Sequence, residues 1–424
     1  MMSKIAVIGT GYVGLTTGAC FAHIGHDVVC ADIDESKIER LNRGEIPILE
    51  PGLDELVRDG MAEGRLRFVV GAAEAAKDCE FAYLCVPTPQ GEDGSADLSY
   101  IEAAAAEIAP VLPSGSVVVN KSTVPVGSTL VVEQALKRDD VTVVSNPEFL
   151  REGSAVHDFL NPDRVVIGTD DRPTAVKVAS LFLGLTAPVI VTDPASAETI
   201  KYAANSFLAT KISFVNAMAA VCEAVGADIN DVVLGIGTDP RIGSQFLKPG
   251  PGWGGSCFPK DTRALVHIAD QAGYDFAFLR GVIEANSQQF SRVADRVAEM
   301  VGGDLAGKRI AALGLTFKAN TDDLRDSPAL EVIARLRERG ADVVAHDPAV
   351  HRDLDGIRVA ESAYAAAEGA DALVVLTEWD EFRWLDFAKI AEVMTSAKIY
   401  DSRNVLDAAA ARKAGIEIKS LGRA

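Results

Sequence analysis

Cysteine is scarce in this chain and is never clustered. The six cysteines among 424 residues lie at positions 20, 30, 79, 85, 222 and 257, with no CxxC pair. Because disulfide frameworks and zinc sites draw on closely spaced cysteines, we expect neither, and free thiols favour a reducing compartment. The six histidines are scattered without the spacing of metal ligands, so we also expect no metal site.

Basic residues are in the minority, and long apolar runs are absent. The chain has 41 Lys and Arg residues against 61 Asp and Glu, a formal net charge of −20. Such a surface repels phosphate backbones and anionic lipid, which argues against nucleic-acid and membrane partners. No uninterrupted apolar stretch approaches the roughly 18 residues that span a bilayer. The chain passes from Met1 into KIAVIGTGYVG without a charged leader, so we expect a cytoplasmic protein.

What is present is an ordinary globular composition with a regular order of elements. Hydrophobic residues make up 48% of the 424 residues, enough for two or three domains. From Lys4 to about residue 192, Val- and Ile-rich runs alternate with Ala-rich segments, which is typical of a parallel, doubly wound sheet. Between Pro194 and Gly226 there is neither Gly nor Pro, and apolar residues recur at helical spacing, which predicts one long helix. After Gly302 a second, smaller α/β alternation follows.

The second α/β region resembles the first. GHDVVCADI at 25–33 parallels GADVVAHDP at 340–348, and each stretch reads as a second strand that ends in an acidic residue, Asp32 or Asp347. The glycine motif that opens the first copy is replaced in the second by LTFKANTDDLRDS. We therefore expect the two halves to bind different ligands.

The first candidate site is GTGYVG, which contains Gly9, Gly11 and Gly14 and follows the first predicted strand, while Asp32 ends the second. The glycines permit a tight turn, close approach of a pyrophosphate and close helix packing, and the helix N-terminus supplies partial positive charge. Asp32 would accept hydrogen bonds from ribose hydroxyls and repel a 2′-phosphate. The motif predicts a site for NAD rather than NADP; the alternative is a tight turn without a cofactor.

The second candidate site is PGPGWGGSCFPKD, from Pro249 to Asp261. Pro259 suits the first turn of a helix that begins just after Cys257. A helix N-terminus and the nearby Lys260 should both lower the pKa of the Cys257 thiol, and the thiolate is the nucleophilic form. Asp261, four residues on, is expected on the same side of that turn. The alternative is a buried cysteine in a glycine-rich turn.

Several motifs together resemble the nucleotide-sugar 6-dehydrogenase family over nearly the whole chain. In family order they are GTGYVG, KSTVPVGST, NPEFLREGSA, ETIKYAANSF, RIGSQFLKPGPGWGGSCFPKD and GLTFKANTDDLRDSP. The resemblance implies two Rossmann-like, doubly wound parallel-sheet domains joined by a long central helix and a helical dimerisation region. It implies an NAD-binding domain at 1–194, a central helical domain at 195–302, a UDP-sugar domain at 303–424, a homodimer, and an active site between the two α/β domains.

The family reaction is a four-electron oxidation of a nucleotide sugar at C6 by two NAD molecules. The resemblance makes Cys257 the nucleophile that forms a thiohemiacetal and then a thioester. Lys201 and Asn205, one helical turn apart, would stabilise oxyanion charge. Asp261 is similar to the acid that works with the lysine through water, and Thr123 and Glu148 resemble residues that position a water.

The resemblance also assigns binding residues. For NAD it adds to the three glycines and Asp32 the residues Val13, Lys37, Thr88, Thr123, Glu152, Lys260 and Arg325. For the nucleotide sugar it implies Phe149, Leu150, Arg151, Glu152, Gly153, Lys201, Asn205, Phe246, Leu247, Lys248, Pro249, Gly250, Gly254, Lys318 and Arg403. Arg241 resembles an arginine that reaches the substrate from the partner subunit. Trp253 stands where Phe or Tyr is common.

Three alternatives stay open. FLKPGPGWGG favours UDP-glucose as the substrate, but GDP-mannose or UDP-N-acetylmannosamine would require the same thiol, lysine and glycine motif. A β-hydroxyacid dehydrogenase shares a Rossmann domain and a helical second domain, yet its single oxidation needs no cysteine. A nucleotide-sensing protein without catalysis would not need Cys257, Lys201 and Asn205 together.

Overall fold

The computed structural model describes residues 2–89, 91 and 96–423. The chain divides into two compact units, residues 1–204 and 205–424. The central helical region thus falls largely in the same unit as the C-terminal sheet. The division into three domains at 194 and 302 stays a prediction.

The first unit is built on an eight-stranded sheet in the order β3-β2-β1-β4-β5-β6-β7-β8. Its strands are β1 Lys4–Ile8, β2 Asp27–Asp32, β3 Leu66–Val70, β4 Phe81–Leu84, β5 Val117–Asn120, β6 Thr142–Ser145, β7 Val165–Gly168 and β8 Val189–Thr192. Its helices are α1 Tyr12–His23, α2 Glu35–Asn42, α3 Leu53–Ala62, α4 Ala72–Ala76, α5 Ser99–Ile108, α6 Ser128–Leu136, α7 Ala155–Leu160 and α8 Arg172–Ser180. The predicted Rossmann topology is confirmed.

The sheet differs from a uniformly parallel one at a single place. β6 pairs with β7 in antiparallel direction through Ser145 and Gly168, whereas the other neighbouring strands, including β7 and β8, run parallel. The two faces of the sheet carry separate cores. Phe21, Phe159 and Phe182 belong to one, and Ile101 and Val132 to the other, as expected for a sheet with helices on both sides.

The second unit holds a six-stranded parallel sheet in the order β11-β10-β9-β12-β13-β14. The strands are β9 Arg309–Leu313, β10 Asp342–His346, β11 Arg358–Val359, β12 Ala372–Val375, β13 Lys398–Asp401 and β14 Glu417–Ser420. After α9 Pro194–Val225, the helices are α10 Ile229–Gly237, α11 Phe258–Gln271, α12 Ala277–Met300, α13 Pro328–Glu338, α14 Ala363–Ala367, α15 Asp380–Arg383, α16 Phe387–Val393 and α17 Ala408–Lys413. The order of these six strands matches that of the first six strands of the other sheet, β3-β2-β1-β4-β5-β6, which confirms the internal resemblance.

The predicted long helix is confirmed as α9, which runs for 32 residues from Pro194 to Val225. It is long and apolar enough to cross a membrane by length and composition alone, and 33% of its most apolar window is buried. Two of its polar side chains nevertheless accept hydrogen bonds from other segments. Glu198 accepts hydrogen bonds from Gly127 and Thr129, and Asn216 accepts one from the Gly250 N–H. These contacts are those of a helix packed into a folded protein.

The similarity between the two sheets extends to the acidic residues at the ends of their second strands, Asp32 and Asp347. Asp347, after β10, is fully buried and its Oδ2 accepts from the N–H of Leu315 (2.7 Å) and Thr316 (3.0 Å) and from the indole N–H of Trp379 (3.1 Å). Its Oδ1 accepts from the Ala349 N–H. Protein donors thus surround the carboxylate that corresponds to Asp32, and we expect a structural role for it.

Asp347→Ala should destabilise the second unit by at least about 3 kcal/mol, because several buried donors lose their acceptor at once. The urea midpoint should fall, and amide exchange should accelerate in β9 and β10. Asp342→Ala is the control: it removes an exposed carboxylate paired with Arg309 and should change stability by less than about 0.5 kcal/mol. Equal stability of the two variants would contradict the structural role.

Candidate active site

The glycine-rich turn between β1 and α1 has the form that a dinucleotide requires. Gly9 has φ +99°, and a Cβ there would lie 2.6 Å from the Cys85 carbonyl oxygen, so only glycine fits. A Cβ on Gly14 would collide with the Gly9 carbonyl oxygen at 1.9 Å, whereas Gly11 faces open space. Gly11 caps α1 without a side-chain hydrogen bond, which leaves the helix N-terminus available to a phosphate.

Asp32 lies at the end of β2 as an ionised acceptor. Its Oδ2 accepts from the N–H (3.0 Å) and hydroxyl (2.6 Å) of Thr10 and contacts Lys37 Nζ at 3.1 Å. Burial by itself would raise the pKa of Asp32, but these hydrogen bonds and the Lys37 charge lower it to about 2. Its Oδ1 has a single, longer contact with the Asp34 N–H at 3.2 Å and retains capacity for ribose hydroxyls. The turn and this carboxylate therefore fit a dinucleotide.

The other residues predicted for the cofactor are placed as follows. Val13 lies in the first turn of α1 and Lys37 in α2. The Thr88 hydroxyl donates to the Thr123 carbonyl at 2.9 Å, which joins two predicted positions. Glu152 is partly buried in the loop before α7. Lys260 and Arg325 belong to the second unit, where Arg325 pairs with Asp323.

A buried ion pair in the first unit joins two predicted catalytic residues. Lys201 Nζ lies 2.8 Å from Glu148 Oε1, and each side chain is 4% exposed. Burial would raise the pKa of Glu148, but the charge and hydrogen bond of Lys201, the Leu150 N–H and the charge of Lys121 hold it below its ordinary value. Glu148 is thus a carboxylate kept ionised beside an ammonium.

Two further cations near this pair were not among the predicted site residues. Lys121 is buried and contacts Asn146 Oδ1 at 3.3 Å, and burial lowers its pKa. The Arg164 guanidinium stacks on the Phe149 ring, 3.7 Å from its centroid. A signal for Lys121 exists in the sequence, since it opens KSTVPVGST. Arg164 lies outside the quoted motifs, and only its spatial contact with Phe149 identifies it.

The predicted sugar loop, Phe149 to Gly153, borders a cavity of about 130 Å³ lined by Lys121, Glu148, Arg164 and others. The Leu150 N–H donates to Glu148 at 2.6 Å, so the loop is anchored to the carboxylate that pairs with Lys201. Arg151 is paired with Asp158 at 2.6 Å. Gly153 donates its N–H to buried Glu50 and to the Tyr12 hydroxyl.

In the second unit, Cys257 is the N-cap of α11, which begins at Phe258 with Pro259 in its first turn. This confirms the predicted helix start. Of the six cysteines it alone is not buried, and its sulfur lies 3.5 Å from the Ser256 hydroxyl. The thiol therefore combines access with a helix N-terminus, whose partial positive charge favours a thiolate.

Asp261 organises the neighbouring polar groups. It is fully buried, and its Oδ2 accepts from the Asn205 amide at 2.6 Å while its Oδ1 contacts Lys260 Nζ at 2.7 Å. Asn205 and Asp261 were both predicted to be catalytic, and the structure brings them together. Lys260 was expected to assist the Cys257 thiolate, but its ammonium is paired with Asp261 instead.

The glycine-rich loop before Cys257 packs against the C-terminal sheet region. A Cβ on Gly254 would lie 1.9 Å from the Asp326 carbonyl oxygen, and one on Gly250 would lie 2.9 Å from the Arg403 guanidinium. Phe246 has a left-handed backbone, with φ +61°. The flanking predicted residues differ in burial: Leu247 and Pro249 are buried, and Lys248 is exposed. Lys318 Nζ lies 5.3 Å from the Phe317 ring centroid.

The residues predicted to be catalytic are divided between the two units. Thr123, Glu148 and Lys201 belong to the first, whereas Asn205, Cys257 and Asp261 belong to the second. Arg241 belongs to the second unit, where its side chain is 87% exposed and paired with Asp239. Among the described residues, the hydrogen bonds of Arg241 go to Asp239 and not to another predicted substrate residue.

Comparison with known proteins gives consistent matches over the whole chain. Three models of the UDP-glucose/GDP-mannose dehydrogenase family match: the NAD binding domain at 3–186, the central domain at 195–288 and the UDP binding domain at 311–408. The chain is 48% identical to UDP-glucose 6-dehydrogenase of Rhizobium meliloti, covering 99% of both chains.

Two solved structures are similar in fold. A UDP-glucose dehydrogenase from Pyrobaculum islandicum superposes with a TM-score of 0.91 at 38% identity, over 100% of this chain and 98% of the other. A UDP-D-ManNAc dehydrogenase from Pyrococcus horikoshii gives 0.88 at 29% identity, over 99% of each chain. With its glycine-rich turn and ionised Asp32, the chain is an NAD-dependent dehydrogenase and belongs to the UDP-glucose/GDP-mannose dehydrogenase family.

Proposed function

We propose that this enzyme oxidises UDP-glucose at C6 to UDP-glucuronate, with reduction of two NAD and a covalent intermediate on Cys257. The observation that carries the choice of sugar is the 48% identity, end to end, with a UDP-glucose 6-dehydrogenase. Identity with the UDP-D-ManNAc dehydrogenase is 29%. GDP-mannose and UDP-N-acetylmannosamine remain the rival substrates, and NADH yield across these three nucleotide sugars distinguishes them.

The first oxidation converts the C6 alcohol to an aldehyde. Bound NAD supplies the hydride acceptor, and the hydroxyl proton leaves C6–OH in the same step. We assign the charge stabilisation to the Lys201 ammonium and the Asn205 amide. Asp261, which binds Asn205, exchanges protons with this region through water. The Lys201–Glu148 pair keeps an ammonium available although the side chain is buried.

The second oxidation requires a covalent handle, because an aldehyde carbon has no alcohol left to oxidise. The Cys257 thiolate adds to C6, and protonation of the oxyanion gives a thiohemiacetal. Loss of its C6 hydride and hydroxyl proton gives a thioester. Water held by Thr123 and Glu148 then cleaves the C–S bond, which yields the carboxylate and regenerates the thiol. The balance is one alcohol, two NAD and one water to one carboxylate, two NADH and three protons.

Binding of the nucleotide sugar is assigned to three segments. They are Phe149 to Gly153, the Phe246 to Gly250 stretch with Gly254, and the cations Lys318 and Arg403. A chain of net charge −20 repels an anionic ligand overall, so it requires local cations such as these to bind the diphosphate. Arg241 is assigned to the partner's substrate, because its guanidinium is exposed and the family resemblance gives the arginine at this position that role.

The exposed surface of α9 supports a homodimer. Phe207, Phe214 and Val221 recur every seven residues and are 66%, 53% and 49% exposed. A seven-residue spacing places them on one stripe of the helix, which is the pattern of a helix that packs against another. A second copy of the same helix would cover this stripe by twofold symmetry.

NAD should be preferred strongly over NADP, because the Asp32 carboxylate would face the 2′-phosphate. Since its pKa is about 2, the group stays ionised, and the preference should be constant between about pH 7 and 9, where the 2′-phosphate is also largely dianionic. Asp32→Ala should weaken NAD binding by about 1 to 3 kcal/mol, whereas the exposed Glu39→Ala should not. Equal kcat/KM for the two cofactors would refute the assignment.

Cys257→Ala should fold, bind NAD and UDP-glucose, and fail to produce UDP-glucuronate. The first hydride transfer needs no thiol, so slow formation of aldehyde can persist, but the second has no thiohemiacetal to oxidise. Wild type should yield two NADH per sugar, and the variant should lose several orders of magnitude in acid formation. Cys79→Ala, a buried cysteine, is the matched control. Formation of UDP-glucuronate by the variant at a near-normal rate would contradict covalent catalysis and would instead support oxidation of an aldehyde hydrate.

Sedimentation should show a dimer that persists at low protein concentration. Phe207→Asp should shift it toward monomer, because a charge in the apolar stripe cannot be paired there. Val176→Asp, at an exposed apolar position of α8, is the control and should remain dimeric. A wild-type monomer with full activity would refute the dimer and with it the role of Arg241 across subunits.

A further inference from the structure

A buried carboxylate and a phenol connect the glycine-rich turn with the predicted sugar loop. Glu50, which precedes α3, is 6% exposed. Its Oε2 accepts from the Gly153 N–H at 2.6 Å, and its Oε1 accepts from the Ala155 N–H at 2.7 Å. The Tyr12 hydroxyl donates to Glu50 and accepts from the Gly153 N–H at 2.7 Å. The network joins positions that are 141 residues apart in the chain.

Each end of this network adjoins a ligand-binding segment. Tyr12 is the first residue of α1 and follows Gly11 directly, so its backbone belongs to the turn that faces the cofactor phosphates. Gly153 closes the loop that begins at Phe149 and has a left-handed backbone, with φ +78°. Neither Tyr12 nor Glu50 belongs to the catalytic or binding sets assigned above.

The energetic links in the network are strong because the carboxylate is buried. A buried carboxylate that loses one donor is left partly unsatisfied, at a cost larger than that of an exposed hydrogen bond. Burial and the nearby Glu50 raise the pKa of Tyr12, so its hydroxyl keeps its proton and remains a donor. The Ala155 N–H, at the start of α7, has no partner within its own helix and depends on Glu50. A displacement of Tyr12 therefore disturbs the anchor of Gly153.

We propose that Tyr12 and Glu50 are positioning residues that couple cofactor binding at the glycine-rich turn to nucleotide-sugar binding by the loop from Phe149 to Gly153. Each ligand orders its own segment and thereby fixes the shared anchor, so each ligand tightens the binding of the other by the same factor. The inference rests on the proposed function, because it takes UDP-glucose as the ligand of the loop.

The experiment measures the dissociation constant of NADH by its fluorescence, with and without saturating UDP-glucose. NADH and UDP-glucose are both in the reduced state for this reaction, so no turnover occurs during the titration. Wild type should bind NADH at least about 5-fold more tightly when the sugar is present, the lower end of typical coupling between sites. Tyr12→Phe keeps the ring and removes the hydroxyl, and it should reduce this ratio to below about 2.

Tyr100→Phe is the matched control, since that tyrosine is exposed in α5 and should leave the ratio unchanged. Glu50→Gln should lower the ratio as Tyr12→Phe does, provided that its melting temperature shows a folded protein. A structural or simple cofactor-contact role would change the NADH constant equally with and without sugar and would preserve the ratio.

A wild-type ratio of one, or an unchanged ratio in Tyr12→Phe, would overturn the coupling. Failure of wild type to bind UDP-glucose, shown by calorimetry with UDP-glucose alone, would instead overturn the proposed substrate. The two failures are therefore distinguishable, because the second is visible without any cofactor or variant.

Discussion

The structure depends on carboxylates that are buried and yet remain supplied with donors. Among the described residues, those in the interior are Glu50, Glu148, Glu198, Asp261, Asp347 and Asp401. An uncompensated buried charge would remove a large part of a domain's free energy of unfolding, which is small to begin with. Backbone N–H groups at loop ends or helix starts supply most of the compensation, as Gly127 and Thr129 do for Glu198. Glu50, Glu148, Glu198, Asp347 and Asp401 thus each accept a backbone N–H from a loop or a helix start and fix its conformation, whereas Asp261 binds the side chains of Asn205 and Lys260.

The two halves show how one arrangement serves two purposes. Asp32 and Asp347 both follow the second strand of their sheet and both bind a threonine just beyond the first strand, Thr10 or Thr316. Asp347 is enclosed by protein donors, including Trp379, whereas Asp32 keeps an oxygen with one long contact. The first carboxylate can accept hydrogen bonds from a ligand, and the second holds its domain together. The difference in donors, and not in strand order, separates a cofactor site from a structural one.

The parts of the fold that the sequence predicted are those with strong local signals. The central strands, α9 and the start of α11 at Cys257 follow from apolar runs, from the absence of Gly and Pro, and from Pro259. The edge strands β3 and β14 were not predicted. An edge strand is buried on fewer sides, so charged residues such as Arg67 and Lys419 alternate with its apolar ones and interrupt the apolar run. No local feature of the sequence indicates that β7 pairs with β6 in the antiparallel direction. Contacts between side chains that are distant in the sequence were the hardest feature to predict from it. The contact of Arg164 with Phe149, for example, forms only when two separate segments meet in the fold.

The pairing of Lys260 with Asp261 changes the account of the thiol. Because the Lys260 ammonium is paired with the adjacent Asp261 carboxylate at 2.7 Å, its charge is partly balanced, and the N-terminus of α11 at Cys257 is a source of positive potential that does not depend on Lys260. In the same way Lys201 is balanced by Glu148. Each unit therefore holds one lysine of the proposed site in an ion pair with a buried carboxylate. A proton that left either lysine would leave a buried carboxylate without its cation, and an unpaired charge in the interior is costly, so both ion pairs favour the ammonium form of the lysine.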